Sequence, residues 1–520
     1  MVKIAELTSN PTINLALDTI KMEKQALVFV STKRSAERTA LDIAKKVEIS
    51  SNKELVNLTE KVLSVLAKPT KQCKQLAECV KKGISFHHAG LHTKQKELVE
   101  DSFRSGLIKV IACTPTLAAG LDLPAFRTIL RDLKRYGHRG YDYIPVLEYL
   151  QMAGRAGRPK YDKFGESICI AASESDKEKI HERYIMGEPE EIYSKLAVEP
   201  VLRTYLVSLI SSSIVNDKKS ILKFFSKTFW AHQFKDMDKL EDIIVRMLGL
   251  LEEWEFIKTN DNDFISASEI NDGKIEVTKL GKRVAELYID PLTAHFIIEC
   301  MKKATGKLCK DFSFIQMISH TLEMRPLLKV KVKEFEEIQE NLVEYESVIL
   351  EDEPSLYDTE YDEYMNSMKT AFFFMDWVNE KDEEYLLEKY NVRPGELNVK
   401  LNIADWLLYC AEEMCRILQF QHILKDISKI RFRVKYGVKE ELITLLKLKN
   451  VGRMRARKLY HNKIKTIADV KKADINQLVQ LLGKKVSLDI KEQVGQKFDQ
   501  DNVAEKKEEV KGQSSLSDYC

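Results

Sequence analysis

The chain has 520 residues, with 82 Lys and Arg against 80 Asp and Glu, a formal charge of +2, and a hydrophobic share of 44%. That apolar content fills several cores and excludes wholesale disorder, and the length suggests roughly three to five domains. No stretch approaches ~18 uninterrupted apolar residues, the start MVKIAELTSN lacks a secretory layout, and nine scattered cysteines form no CxxC; a spanning helix, a disulfide scaffold and a zinc ribbon are all disfavoured. The sequence therefore predicts a soluble, cytoplasmic, multidomain protein with no metal site of its own.

From residue 1 to about 190 short apolar runs alternate with helical spacing. ALVFV (Ala26–Val30), ISFHHAG (Ile84–Gly90), IKVIACT (Ile108–Thr114) and SICIAA (Ser167–Ala172) read as strands, separated by helices such as SAERTALDIAKKV and HTKQKELVEDSFRSG. This alternation predicts an α/β parallel-sheet domain with helices on both faces. Between the third and fourth runs, RDLKRYGHRGYDYIPV (Arg131–Val146) carries two glycines among aromatic and polar residues, the pattern of a hairpin.

Beyond about Ala197 helices dominate. WEFIKT (Trp254–Thr259) and KIEVTKLG (Lys274–Gly281) would pair as a ribbon, so residues 199–290 read as a winged helix. Residues 291–425 read as a helical domain and 426–495 as a compact helical unit, while 499–520 lacks apolar periodicity and reads as a disordered tail. Charge is strongly polarised: Glu344–Glu388 holds 15 acidic and 2 basic residues, and Lys429–Lys472 holds 15 basic and 3 acidic. The basic stretch is either a phosphate-contacting surface or a solvated helix face.

The most specific string is QMAGRAGRP (Gln151–Pro159). Arg155 and Arg158, three residues apart, would share one helix face, and their guanidinium forks suit phosphate oxygens. TPTLAAGLDLPA (Thr114–Ala125) follows a strand and has the hydroxyls and backbone amides of a phosphate-facing loop, or of an ordinary βα loop.

With VFVSTKRSAE (Val28–Glu37) and FHHAGL (Phe86–Leu91), these strings occur in the order found in the second RecA-like domain of superfamily-two helicases. The chain most resembles the archaeal Holliday-junction-migration (Hjm) group of Ski-two-like DNA helicases. TKLGKRVAELYIDPLTA (Thr278–Ala294) and RVKYGVKEELITLLKLKNVGRMRARKLY (Arg433–Tyr460) resemble that family's winged-helix end and its terminal helical domain, and the likeness covers about Asn14–Gly495.

The resemblance implies roles. Gln151, Arg155 and Arg158 would face the γ-phosphate of ATP, with Gly120 and Asp122 bordering the nucleotide. Thr32, Lys33, Arg34 and Thr116 would touch the backbone of the tracked strand, and His88 and Gly90 would shape the same channel. The hairpin would part the duplex through Tyr136 or Tyr141, unless it is a plain surface hairpin. NIADWLLYCAEEMCRILQF (Asn402–Phe420) resembles a ratchet helix on which a base stacks against Trp406; read alone, that tryptophan is more simply core. LKNVGRMRARKL resembles a helix–hairpin–helix, in which Gly452, Arg453, Arg455, Arg457 and Lys458 would meet phosphate, and Asn450 stands where a left-handed glycine is usual. QSSLSDYC at the end resembles a sliding-clamp (PCNA) peptide, through Gln513, Leu516 and Tyr519.

No GxxxxGK[ST] string and no DExH string occurs in the 520 residues. The expectation is therefore the C-terminal portion of a monomeric 3′–5′ DNA helicase for forked or branched DNA in repair and recombination. Such a chain would use ATP and Mg²⁺ only when another segment supplies a first RecA-like domain. The alternative is a non-catalytic protein that binds single-stranded or forked DNA.

Overall fold

The computed structural model describes residues 4–48, 52–118, 120, 123–137, 140–158, 162–196, 198–259 and 273–498. The chain divides into two compact units, one of Met1–Lys195 with Glu383–Lys400 and the other of Leu196–Asp382 with Leu401–Cys520.

The first unit opens with α1 (Pro11–Lys21), β1 (Ala26–Phe29), α2 (Lys33–Lys46), α3 (Lys53–Ser64), α4 (Lys71–Val80), β2 (Ile84–His87), α5 (Thr93–Arg104) and β3 (Val110–Cys113). It continues with β4 (Arg127–Leu130), the hairpin strands β5 (Lys134–Gly137) and β6 (Gly140–Tyr143), α6 (Val146–Ala153), β7 (Glu166–Cys169) and α7 (Glu174–Ile180). Strands β2, β3, β1, β4 and β7 lie side by side in that order and are parallel throughout. Every residue of β1, β2 and β3 is buried, which is why these strands read as unbroken apolar runs rather than alternating ones.

The helices start where short polar side chains bond the first free amides. Asn10 accepts from the Thr12 amide, with Pro11 at the first helical position; Thr32 caps α2 through the Ser35 amide, and Thr70 caps α4 through that of Cys73.

Strand β4 was not anticipated, because RTIL is short and follows neither template. Its first residue, Arg127, is 1% exposed. The guanidinium donates to Asp18 Oδ2 at 2.9 Å, Thr19 Oγ1 at 2.8 Å, Leu15 O at 3.1 Å and Glu166 Oε2 at 2.7 Å, so a buried cation ties α1 to β4 and β7.

In the second unit, α8 (Glu199–Ser211), α9 (Lys218–Phe225), α10 (Phe229–Phe234) and α11 (Met237–Glu253) precede an antiparallel ribbon of β8 (Ile257–Thr259) and β9 (Ile275–Val277), and α12 (Lys279–Leu287) follows. Next come α13 (Pro291–Thr305), α14 (Asp311–Ser319), α15 (Phe335–Tyr345) and α16 (Tyr361–Val378). Helix α17 (Glu383–Tyr390) belongs to the first unit, and the boundary between the units falls inside the 24-residue α18 (Pro394–Ile417), within the range read from sequence as one helical domain. Helix α19 (Gln421–Tyr436) packs on α13, α14 and α16. The chain then forms α20 (Arg453–His461), α21 (Ile467–Lys472), α22 (Ile475–Leu482) and α23 (Lys484–Gln493) around Val438, Leu442, Leu445, Leu459, Val470 and Ile490. Among the described residues no helix is long and apolar enough to cross a membrane.

Replacing Arg127 by Met leaves Asp18 and Glu166 without their buried cation, and we expect a loss of about 3–5 kcal/mol in the first unit. The measurement is hydrogen–deuterium exchange, with β1 and β4 losing protection while α13, α14 and α16 keep theirs.

Candidate functional site

Because β1, β2 and β3 are adjacent and parallel, the loops that leave their C-terminal ends emerge along one edge of the sheet, where open α/β sheets receive ligands. Thr32 and Arg34 are exposed after β1, Lys33 is half-buried there, and Thr116 is exposed after β3, its hydroxyl 2.9 Å from that of Thr114. These four side chains are the strand contacts expected from sequence. Gly120 is also exposed, whereas Asp122 lies outside the described residues.

The loop after β2 differs from expectation. His88 is fully buried, its ring stacked on Phe86 at 5.5 Å; Nδ1 accepts the Gly90 amide at 3.1 Å, and Nε2 faces Glu37 Oε1 at 3.3 Å. Burial lowers the imidazole pKa, with Glu37 opposing that shift. A strand cannot touch this ring, so any part His88 takes in shaping the channel is indirect, through the loop it supports. Gly90 is buried as well, under Arg393: a Cβ on Gly90 would lie 2.3 Å from Arg393 Cδ.

Arg393 and its neighbours went unnoticed in the sequence. Arg393 Nε donates to Glu37 Oε1 at 3.0 Å and Gln72 Nε2 to the same oxygen at 2.9 Å. Burial pushes the Glu37 carboxyl up, yet the bonds from His88, Arg393 and Gln72 outweigh it and hold the group down at about 2, against an ordinary 4.5. One residue beyond Pro394, the Gly395 amide bonds the Gly90 carbonyl at 3.0 Å. A Cβ on Gly395 would meet the Leu91 and Ala89 carbonyl oxygens at 2.3 and 2.4 Å, so only glycine permits the start of α18 to seat on this loop.

The paired arginines also depart from expectation. Helix α6 ends at Ala153, so Arg155 and Arg158 lie beyond it rather than on one helical face. Ala156 bridges to Ala125, and Gly157 takes φ +91°, which turns the chain and sends the two side chains apart. Arg155 donates to the Ala118 carbonyl, from Nη2 at 2.6 Å and Nε at 3.2 Å, binding this string to the TPTLAAG loop. Arg158 grips Asp162 with Nε at 2.7 Å and Nη2 at 3.2 Å, and donates Nη1 to Gln25 Oε1 at 2.7 Å. Asp162 also accepts from Lys24 at 2.7 Å; with Arg158 as the main cause, its carboxyl is lowered to about 2. Gln151 is exposed on the last turn of α6.

In the hairpin Tyr136 pairs across from Tyr141, with ring centroids 6.3 Å apart and exposures of 84% and 66%. Its base is fixed by Tyr143, which receives the Lys134 ammonium over its ring at 4.3 Å and donates to Asp176 at 3.1 Å. Two aromatic faces thus stand in solvent on a braced ribbon.

In the second unit Trp406 is half-buried, and its indole Nε1 donates to the Leu287 carbonyl at 3.2 Å. Asn450 has φ +64°, the left-handed conformation expected of it, and Gly452 caps α20. Part of the basic stretch is engaged within the unit. Arg457 is held by Glu380 and, at 3.0 Å, by Glu441, and these carboxylates raise its pKa. Arg453 lies over the Trp377 ring at 4.9 Å and donates to the Lys381 carbonyl at 2.7 Å. Arg431 binds Asp405 and Glu412, and Arg433 is buried against Asp311. The phosphate roles given to Arg453 and Arg457 are therefore corrected to packing roles, while Arg455 and Lys458 are exposed. Gln513, Leu516 and Tyr519 lie outside the described residues. No group of three or more His, Cys, Asp or Glu among the described residues is placed to hold a metal ion.

Two outcomes follow from these partners. Arg457→Ala will destabilise the second unit by about 1–3 kcal/mol in thermal unfolding, and Arg455→Ala will not, because only the former strands two carboxylates. The folded-state pKa of Glu37 lies below its ordinary value, so its contribution is complete above about pH 5 and disappears as pH falls toward 2. Glu37→Gln will therefore lower the melting temperature at pH 7 and flatten part of the acid limb of the stability profile.

Comparison with known proteins agrees with this geometry. Residues 11–160 match the family described as "Helicase conserved C-terminal domain", and residues 312–437 match "Archaeal helicase, domain 4". The chain is similar to "ATP-dependent DNA helicase Hel308" of Methanococcus vannielii, at 36% identity over 96% of this chain and 70% of that protein. It is likewise similar to the proteins of that name from Pyrococcus horikoshii, at 37% identity over 90% of this chain and 63% of the relative, and Methanocella arvoryzae, at 35% over 97% and 68%. The chain thus spans about two thirds of the length of these relatives. With a parallel sheet bearing the ordered helicase strings and a helical region matching the archaeal domain, the chain belongs to the Hel308 family of Ski-two-like superfamily-two helicases.

Proposed function

We propose that this chain is the strand-tracking portion of an ATP-dependent 3′–5′ DNA helicase that acts on forked or branched DNA in replication-coupled repair and recombination. The observation that carries this reading is the shared sheet edge: Thr32, Arg34 and Thr116 are exposed where the chain leaves the C-terminal ends of the adjacent strands β1 and β3. Contacts of this kind grip a backbone irrespective of sequence. The name of the relatives, an ATP-dependent DNA helicase, supports DNA as the polymer.

The remaining assignments fit this reading. Tyr136 and Tyr141 offer stacking faces for the last base pair of a duplex. Trp406, its indole nitrogen anchored on Leu287, serves as the ring on which a base of the single strand stacks. Residues 199–290 form a winged-helix module, and residues 448–459 form a helix–hairpin–helix whose phosphate contacts are Gly452, Arg455 and Lys458. The C-terminal Gln513, Leu516 and Tyr519 serve a sliding clamp, and the protein works as a cytoplasmic monomer.

ATP turnover needs a phosphate loop and an acidic box for Mg²⁺, and neither a GxxxxGK[ST] nor a DExH string is spelled in these 520 residues. Arg155, Arg158 and Gln151 supply the second side of a triphosphate site, and Arg158 enters it by exchanging Asp162 for phosphate. A second reading, a non-catalytic DNA holder, uses the same surfaces without the arginines.

Three measurements test the proposal. The chain alone is expected to show no DNA-stimulated ATP hydrolysis, and to gain it when a first RecA-like domain is added; turnover by the chain alone, abolished by Arg155→Ala and Arg158→Ala, would overturn the divided-motor reading. Trp406→Ala should weaken single-strand binding by about 1–3 kcal/mol. Neutralising Arg455 and Lys458 should lower the slope of log affinity against log salt by about 0.7 per lost contact on single strands.

A further inference from the structure

Among the described edge residues, Lys33 is a cation whose partner lies far along the chain. Its ammonium pairs with Glu396, in the first turn of α18, and the two side chains are 35% and 27% exposed, so solvent reaches both. The other carboxylate oxygen of Glu396 accepts the Arg393 amide at 3.0 Å. Around this pair the contact is built rigidly: the Gly395 amide on the Gly90 carbonyl, the Arg393 guanidinium on Glu37, and Glu384 accepting the Lys71 amide at 2.8 Å. The seat of α18 thus has several attachments that do not involve Lys33. Loss of the Lys33–Glu396 pair would leave them intact.

A carboxylate held by a rigid frame against a half-exposed lysine presents the charge and oxygen geometry of a backbone phosphate. We propose that Glu396 is a positioning residue that stands in for strand phosphate at Lys33, so that a bound strand takes the ammonium from Glu396 while the rest of the α18 seat stays closed. This rests on the reading of the sheet edge as the strand-contacting surface. Its consequence is that Glu396 lowers the affinity of the motor for its track. Each phosphate that settles on Lys33 displaces an internal anion, which keeps single contacts weak and the strand free to advance.

The test is binding of a fluorescein-labelled oligothymidylate to the full 520-residue chain, followed by anisotropy across a salt series. Glu396→Gln keeps an acceptor for the Arg393 amide and removes the charge. It should bind about two- to five-fold tighter than the parent, the range expected for releasing one partly exposed ion pair, with a steeper salt dependence. Lys33→Gln should bind more weakly, and adding Glu396→Gln to Lys33→Gln should change nothing further. Equal or weaker binding by Glu396→Gln overturns the exchange. So does tightening that persists in the Lys33→Gln background, since that would come from net charge or from loosening of α18. If Lys33→Gln binds as the parent does, the strand-contact reading of Lys33 falls and takes this proposal with it. If Lys33→Gln weakens binding and Glu396→Gln does not tighten it, only the exchange falls.

Discussion

Parallel alignment of β2, β3 and β1 is the constraint from which the rest of the first unit follows. Parallel strands in register deliver each following loop to the same side, and burial on both faces demands the apolar runs that make those strands recognisable. Four-residue strands of this kind position polar side chains without including them: Thr32 caps the helix that follows β1, Arg34 stands in its first turn, and Thr116 lies in the short helical turn after β3.

Charge in this protein does two separate jobs, and burial decides which. Arg127, Arg433 and Arg457 are enclosed by carboxylates and carbonyls and act as internal fasteners. Arg34, Arg455 and Lys458 face solvent, with Arg455 also donating to the Asn450 carbonyl at 2.8 Å. Arg158 stands between the two groups, gripped by the enclosed Asp162 carboxylate near the end of the QMAGRAGRP string. The acidic and basic stretches that looked like opposed surfaces partly neutralise one another through Glu380 and Arg457, so the net +12 between Lys429 and Lys472 overstates the field that a nucleic acid would meet.

Much of the architecture was legible because its signals are local. The runs ALVF, ISFH and VIAC became strands, the two glycines of the hairpin pair across its strands, and Asn450 adopts the left-handed conformation expected where a glycine is usual. What escaped notice depends on partners far away in sequence. Nothing in the sequence marks Arg127; Asp18 and Glu166 surround it only in the fold. Arg457 looked like a phosphate ligand until Glu380, 77 residues earlier, took it. The Glu37–Arg393 bond spans 356 positions, and no periodicity or spacing marks either end. The shared helix face assumed for Arg155 and Arg158 failed for a local reason: Gly154 and Gly157 surround Arg155, and a left-handed glycine cannot continue a helix.

The Gly90–Gly395 contact has a consequence for how the protein is made. A ribosome releases the chain from its first residue onward, and the sheet with its flanking helices is complete by about residue 190. The loop after β2 still lacks its cover until two hundred more residues have emerged. During that interval Glu37 has no Arg393, and the backbone around Gly90 faces water. A nascent chain stalled before residue 393 would therefore carry a folded but unfinished first unit, more open to proteases at Ala89–Leu91 than the completed protein.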